Sequence, residues 1–275
     1  MLEQKLKNIV DDLQSRKIRS EVIKNYLKEY LQLLILEFIY TSLYRDLIFT
    51  GGSCLRVCYG LNRLSEDLDL DTVKKIDKKK LAQELKKYFV QKLQYSQMEI
   101  SIKGKKQKIY LKFPILAELG LSRSRSESNK LYVKIEIEQA YSKKFQIEQT
   151  PVVQDKFSFF VKNYDLPTLM AGKICAILQR SFAKGKGDKI IFKGRDYYDL
   201  IWYLQKQIKP NMSYLKDILK IDEMQELLSQ LDKKVEQVNL RYLKQDLENL
   251  FADKQFVDDF VKNFRRLYGR YRLKD

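Results

Sequence analysis

Histidine is absent from this 275-residue chain. That one absence removes Ser-His-Asp and Cys-His catalysis, histidine zinc sites and histidine general bases together. Any chemistry is left to carboxylates, lysine, arginine, tyrosine, serine and cysteine. Cysteine is scarce and odd in number. Cys54, Cys58 and Cys175 each lie in an apolar helical context and read as buried thiols of a reducing cytosol. Cys54 and Cys58 are spaced to share a helix face, but without histidine or a second pair nearby no metal role is expected of them. With only 4 prolines and 10 glycines the chain is not a linker protein. A long hydrophobic run is also missing: the most apolar stretch, Leu31 to Tyr40, is short and carries Glu37, so no membrane span is expected. The N-terminus, Met1-Leu2-Glu3-Gln4-Lys5, lacks a signal-peptide pattern, which together with the thiols places the protein in the cytoplasm.

What is abundant is equally informative. Hydrophobic residues make up 44% and charged residues 32%, enough for a real core in a compact, helix-rich fold. Lys and Arg total 53 against 36 Asp and Glu, a formal charge of +17. Such an excess favours polyanionic partners, nucleic acid or phosphate-rich substrates first and an anionic membrane surface less well.

Apolar periodicity predicts a helix over residues 2–14 and a longer one from Ser20 to Tyr44. Leu47 to Thr50 reads as a short buried strand ending at Gly51-Gly52. A helix over Cys54 to Tyr59 should stop at Gly60, and Asp67 to Leu70 forms the next strand. A charged amphipathic helix covers about 77–93. The period then changes to two: Met98 to Lys103, Lys108 to Phe113 and Leu131 to Gln139 alternate apolar and polar residues, as strands of a mostly antiparallel or mixed sheet do. Helices return at Leu166 to Phe182 and Arg195 to Gln205, and the remainder is helical. The expected organisation is a mixed half over residues 1–150 and a helical half over residues 151–275.

The most informative stretch is Gly51-Gly52-Ser53-Cys54-Leu55-Arg56, continuing to Arg63-Leu64-Ser65-Glu66-Asp67-Leu68-Asp69-Leu70. Glycines and a serine at a strand-to-helix junction let backbone approach a phosphate, and the helix N-terminus offers free N–H groups and a positive dipole end. Asp67 and Asp69 alternate on the following strand, so both carboxylates leave one face. That arrangement can hold two magnesium ions between a triphosphate and an attacking hydroxyl.

In this order and spacing the two halves resemble the Gly-Ser and Asp-x-Asp signature of the polymerase-beta-like nucleotidyltransferase superfamily. More narrowly, the string from Gly51 to Leu70 resembles the AbiEii/AbiGii toxin family, with its GG[ST]-x-LR stretch followed by R-x-S-x-D-x-D. The resemblance extends from about residue 46 to at least residue 200. It implies an α+β fold, a polymerase-beta-like nucleotidyltransferase core with a mixed sheet followed by a helical C-terminal domain. It also implies a third carboxylate on a neighbouring strand. Glu136 is the choice, as a metal ligand with Asp67 and Asp69 or as the base that accepts the hydroxyl proton, with Glu138 as fallback. A second family block lies in Leu169 to Arg180 and in Arg195-Asp196-Tyr197-Tyr198-Asp199-Leu200. Its lysine and arginine, Lys173 and Arg180, share a helix face by spacing, as do Asp196 and Asp199. Beside a triphosphate Lys173 would neutralise charge on the transferring phosphoryl group. Gly52, Ser53, Arg63, Arg180, Asp196 and Asp199 complete the implied nucleotide contacts. An insertion from Ala183 to Lys193 departs from the family pattern.

The expected reaction is magnesium-dependent transfer from a nucleoside triphosphate to an acceptor hydroxyl. The resemblance implies a toxin of a toxin–antitoxin or phage-defence pair, transfer RNA as acceptor and a separately encoded antitoxin as partner. Two alternatives stand beside it: modification of a protein or small molecule, and a non-catalytic nucleotide- or RNA-binding regulator. For RNA, Arg123 and Arg125 in a polar loop and Arg265, Arg266, Arg270 and Arg272 near the C-terminus are candidate contacts. The last four are interleaved with Phe264, Tyr268 and Tyr271, rings on which single-stranded bases can stack.

Overall fold

The computed structural model describes residues 2–105, 108–122, 128–180 and 193–273. Helix α1 (Leu2–Ser15) is amphipathic and buries Leu2, Leu6, Val10 and Leu13. Helix α2 (Ser20–Tyr40) is apolar on nearly all sides and buries thirteen residues, which makes it the hydrophobic centre of its unit. The chain then forms β1 (Ile48–Thr50), α3 (Gly51–Tyr59), β2 (Asp67–Thr72) and α4 (Lys78–Lys87). A π-helical turn, Tyr88–Lys92, ends α4. Gly60 closes α3 in the left-handed region, φ 72°, as its position in the sequence requires.

The strands β3 (Glu99–Lys103), β4 (Lys108–Pro114), β5 (Lys130–Gln139), β6 (Ile147–Gln154) and β7 (Phe157–Tyr164) join β1 and β2 in a mixed sheet of order β3-β4-β5-β2-β1-β7-β6. β2 pairs antiparallel with β1 and parallel with β5; β5 pairs antiparallel with β4, and β4 with β3. Alternation sorts the two faces. Leu68 and Leu70 of β2, Leu131, Val133, Ile135 and Ile137 of β5, and Ile109, Leu111 and Phe113 of β4 are all buried. They share the face packed by α2 and α4, whose neighbours in the sheet are β5 and β3. The polar residues between them, aspartates on β2 and lysines, tyrosines and glutamates on β4 and β5, leave the opposite face.

Contacts divide the chain into two compact units, residues 1–140 with 149–163, and residues 141–148 with 164–275. The units alternate along the chain around residue 150, where the sequence places the division: residues 141–148 fall with the second unit and residues 149–163 with the first. Strands β6 and β7 are the main elements the periodicity left unassigned. Pro151 and the polar run before it disguise β6, although Phe157, Phe159, Val161 and Asn163 of β7 are buried at period two.

The second unit is helical: α5 (Leu166–Gln179), α6 (Gly194–Gln205), α7 (Met212–Leu219), α8 (Met224–Glu236), α9 (Leu240–Leu247) and α10 (Lys254–Tyr271). Asp165 caps α5 by accepting from the Thr168 N–H at 3.0 Å. Helix α6 is buried on most sides, and its Tyr198 packs on Phe251 and Phe260 with ring centroids 4.9 Å from each.

Candidate functional site

Thr50, the last residue of β1, stands opposite Asp69 of β2, so α3 starts beside the aspartates. The chain turns directly from strand into helix, and only glycine fits. Gly51 has φ +75°, and a Cβ there would strike the Asp69 carboxylate; a Cβ on Gly52 would strike the Arg63 guanidinium. The N–H groups of the first turn of α3 have no intrahelical acceptors. Among them the Ser53 hydroxyl is buried and makes no hydrogen bond among the described residues. A buried hydroxyl without a partner costs stability in a finished core but is useful where a phosphate oxygen completes it.

The arginines of the motif frame this turn. Arg63 is 1% exposed, lies against Gly52 and donates to the Leu64 carbonyl at 2.9 Å. Arg56 forms a two-point ion pair with Glu29 of α2 and donates to the Leu61 carbonyl at 3.1 Å. It thereby ties α3 and the approach to β2 onto the central helix.

Asp67 and Asp69 are half-buried on the polar face, with Lys134 and Glu136 of β5 as their register partners. The Lys134 ammonium lies 2.8 Å from Asp67 and 2.6 Å from Glu136, and Lys108 of β4 reaches Glu136 at 2.7 Å. Burial works to lower Lys134, but its hydrogen bonds to the Asp67 and Glu136 carboxylates outweigh it and hold its pKa above the usual lysine range. For Glu136 burial works upward, and the two lysines outweigh it and hold the carboxyl below its usual range. A carboxylate held low is a weak base. Among the described residues no group of three or more carboxylates or thiols gathers closely enough to hold an ion alone. Glu136 thus stands beside Asp69 but turns its oxygens to two lysines, while Asp67 already accepts a cation. The donor set fits a hard divalent ion of the kind bound through one or two carboxylates, with phosphate oxygens and water supplying the rest. Asp67 and Asp69 would hold it.

In the second unit α5 and α6 bring the other family block together. The Lys173 ammonium lies 2.9 Å from Asp196 and 2.8 Å from Asp199, and Arg180 also pairs with Asp196. Both aspartates are buried, and two cations meet two anions. Cys175 on the same helix is inert, since burial pushes its thiol up to about 12.

The RNA candidates fare differently. Arg123 and Arg125 lie outside the described residues. Arg272 is engaged with Asp232 through hydrogen bonds of 2.9 and 2.8 Å, and Arg265 donates to the carbonyls of Glu236 and Val238 at 3.3 Å. Arg266 and Arg270 are exposed. The stacking rings expected beside them are largely core: Phe264 and Tyr268 are buried, Phe264 against Tyr197 and Phe260, Tyr268 donating to Asp232 at 2.7 Å. The sequence motif does not point to Lys108 or to a third aspartate on the same strand face, Asp71, which is buried. The alternation Asp67-Leu68-Asp69-Leu70-Asp71 was the available signal.

A glycine turn opening a helix beside an Asp-x-Asp strand, in a mixed sheet with one polar face, defines a nucleotidyltransferase. Over residues 37–268 the chain matches the model of the family described as nucleotidyl transferase AbiEii toxin, type IV TA system, and it belongs to that family. It is a nucleotidyltransferase of the toxin class. Membership brings a nucleoside triphosphate as substrate, an antitoxin as partner and the divalent metal that such enzymes generally use. Among solved structures, MenT4, a nucleotidyltransferase toxin from Mycobacterium tuberculosis H37Rv, shares the fold at 11% identity and a TM-score of 0.50, with 98% of this chain and 99% of that one covered. JHP933 from Helicobacter pylori aligns at 18% identity over 90% of this chain and 98% of its own, TM-score 0.44. A nucleotidyltransferase described as putative from H. pylori aligns at 19% identity over 86% and 95%, TM-score 0.41. No curated protein matches the sequence. Among the described residues no helix is long and apolar enough to cross a membrane.

Proposed function

We propose that the chain moves a nucleotidyl group from a nucleoside triphosphate to a hydroxyl of RNA, with transfer RNA as acceptor and magnesium as the metal. It does so in the cytoplasm as the toxin of a toxin–antitoxin or phage-defence pair. One observation carries the chemistry: the open N-terminus of α3, with the unpartnered Ser53 hydroxyl, begins directly beside Asp69. The N–H groups of Gly52 and Ser53 hold phosphate oxygens at the positive end of α3. Arg63, locked against Gly52, keeps that turn in shape. Asp67 and Asp69 would hold the metal against the same phosphates, and magnesium, when bound, supplies charge neutralisation and lowers the pKa of the attacking hydroxyl. Glu136 fixes Lys134 and Lys108 rather than accepting the proton. For the second cluster the family block is the support: it assigns Lys173 and Arg180, with Asp196 and Asp199 beside them, a part in transfer.

The test is incubation of the pure protein with each labelled triphosphate, magnesium and total RNA. Label should appear in RNA, in the transfer RNA band, for the wild type and not for Asp69→Asn. Label that enters protein alone would move the acceptor to another class.

A further inference from the structure

Resting on the transferase reading above, we propose that the polar face of β3, β4 and β5 receives the single-stranded end of a nucleic-acid acceptor, with bases stacked on Tyr110 and Tyr132. The register sets the residues. Tyr110 stands opposite Lys134 and Ser101; Lys112 stands opposite Tyr132 and Glu99; Lys108 stands opposite Lys103, and Lys130 lies two residues before Tyr132. Because partners across strands share a face, this one surface alternates rings with lysines. Tyr132 is 42% exposed and Tyr110 is half-buried.

The two rings are diagonal neighbours, a separation of about 7–8 Å that suits consecutive bases. They also lie close to the aspartates. Strand geometry places Tyr132 about 8 Å and Tyr110 about 10 Å from Asp67, Cα to Cα, since Lys134 separates both from it. A base stacked on Tyr132 therefore leaves the terminal nucleotide within reach of the carboxylates.

Charge points to the same ligand. Lys103, Lys108, Lys112, Lys130 and Lys134 share the face with Glu99, Glu136 and Glu138. Glu99 is held by Lys130 at 2.6 Å and lies 3.9 Å from Lys112, and Glu136 is held by Lys108 and Lys134, so lysine outnumbers carboxylate on the surface. Lys103 is exposed and makes no ion pair among the described residues. Open rings among lysines on a sheet bind splayed bases and backbone together, the mode by which sheet surfaces take single-stranded RNA. A duplex keeps its bases stacked inside and offers the rings nothing.

The experiment is fluorescence anisotropy across a salt series with a short labelled single-stranded RNA bearing a free 3′-hydroxyl, and with the matching blunt duplex. Tyr110→Ala with Tyr132→Ala should weaken single-strand binding roughly 5- to 100-fold per ring at every salt concentration, whereas the double Phe variant keeps affinity. Lys103→Gln with Lys112→Gln should instead flatten the salt slope by about 0.7 per lost phosphate contact. Affinity for a fluorescent nucleoside triphosphate, measured in parallel, should not move. Wild-type RNA affinity in the alanine variant, or an unchanged salt slope in the lysine variant, overturns the platform while leaving the transferase standing if label still enters RNA. Preference for the duplex overturns it too. If the alanine variant fails to fold by circular dichroism, the lysine variant decides, since Lys103 is exposed and Lys112 loses only a 3.9 Å ion pair with Glu99.

Discussion

The charged cluster of the helical unit and that of the sheet differ in how completely each is satisfied. In the helical unit Lys173, Arg180, Asp196 and Asp199 neutralise one another, and both aspartates are buried. On the sheet, Asp67 and Asp69 are half-exposed, a buried hydroxyl has no partner among the described residues, and a helix N-terminus opens beside them. A closed ion cluster holds its members in place, while an open one is built to receive something. Substitutions in the two should therefore split activity from stability in opposite ways.

The largest effect on activity is expected from Asp69→Asn. It removes a metal-holding charge without changing shape, so label transfer should fall about 100-fold or more while the unfolding midpoint stays near wild type. Lys173→Met should do the reverse in stability. Removing the ammonium leaves Asp199 buried beside Asp196 with less compensation, a cost of about 3–5 kcal/mol in chemical denaturation. Adding Asp199→Asn should recover much of that loss but not the turnover, which separates the lysine's support of the fold from the part in transfer proposed for it. Ser53→Ala should sharpen the contrast, because its two effects have opposite sign. Losing an unsatisfied hydroxyl raises stability by about 1 kcal/mol, whereas triphosphate affinity drops about tenfold for one lost hydrogen bond to a charged oxygen. The smallest effect belongs to Arg272→Gln. Its exposed pair with Asp232 contributes about 0.5–1 kcal/mol to stability, and the salt dependence of RNA binding should not change.

Why some of this was legible and some not comes down to period. Asp67, Asp69, Gly52 and Ser53 were readable because strand alternation and a strand-to-helix glycine junction have local signatures. So was most of the fold, since α1 and α4 carry a clean helical repeat and β4 and β5 a clean alternation. The aromatic and basic residues of α10 and of β4–β5 look alike in the sequence, but their geometry differs. On a helix, rings at spacing four share a face, so Phe260, Phe264 and Tyr268 all turn into the core and leave the arginines behind. On strands, period two places Tyr110 with Lys108 and Lys112, and Tyr132 with Lys130 and Lys134, so ring and charge emerge together. What the sequence could not show was pairing across strands. That Lys134 sits between Asp67 and Glu136, and that Lys108 reaches Glu136 from β4, depends on register among segments far apart in the chain. β6 was missed for a different reason, because an edge strand with a proline departs from the usual strand pattern.

The central claim is that the open cluster on the sheet performs nucleotidyl transfer, and transfer itself tests it most directly. Wild type and Asp69→Asn, matched for folding by thermal unfolding, are incubated with α-labelled triphosphates, magnesium and total RNA, and label in RNA is counted. Label in the wild type and none above background in the variant is the expected result. Equal incorporation by the two folded proteins would contradict it, and would remove Asp67, Asp69 and the turn at Gly51-Gly52 from the chemistry.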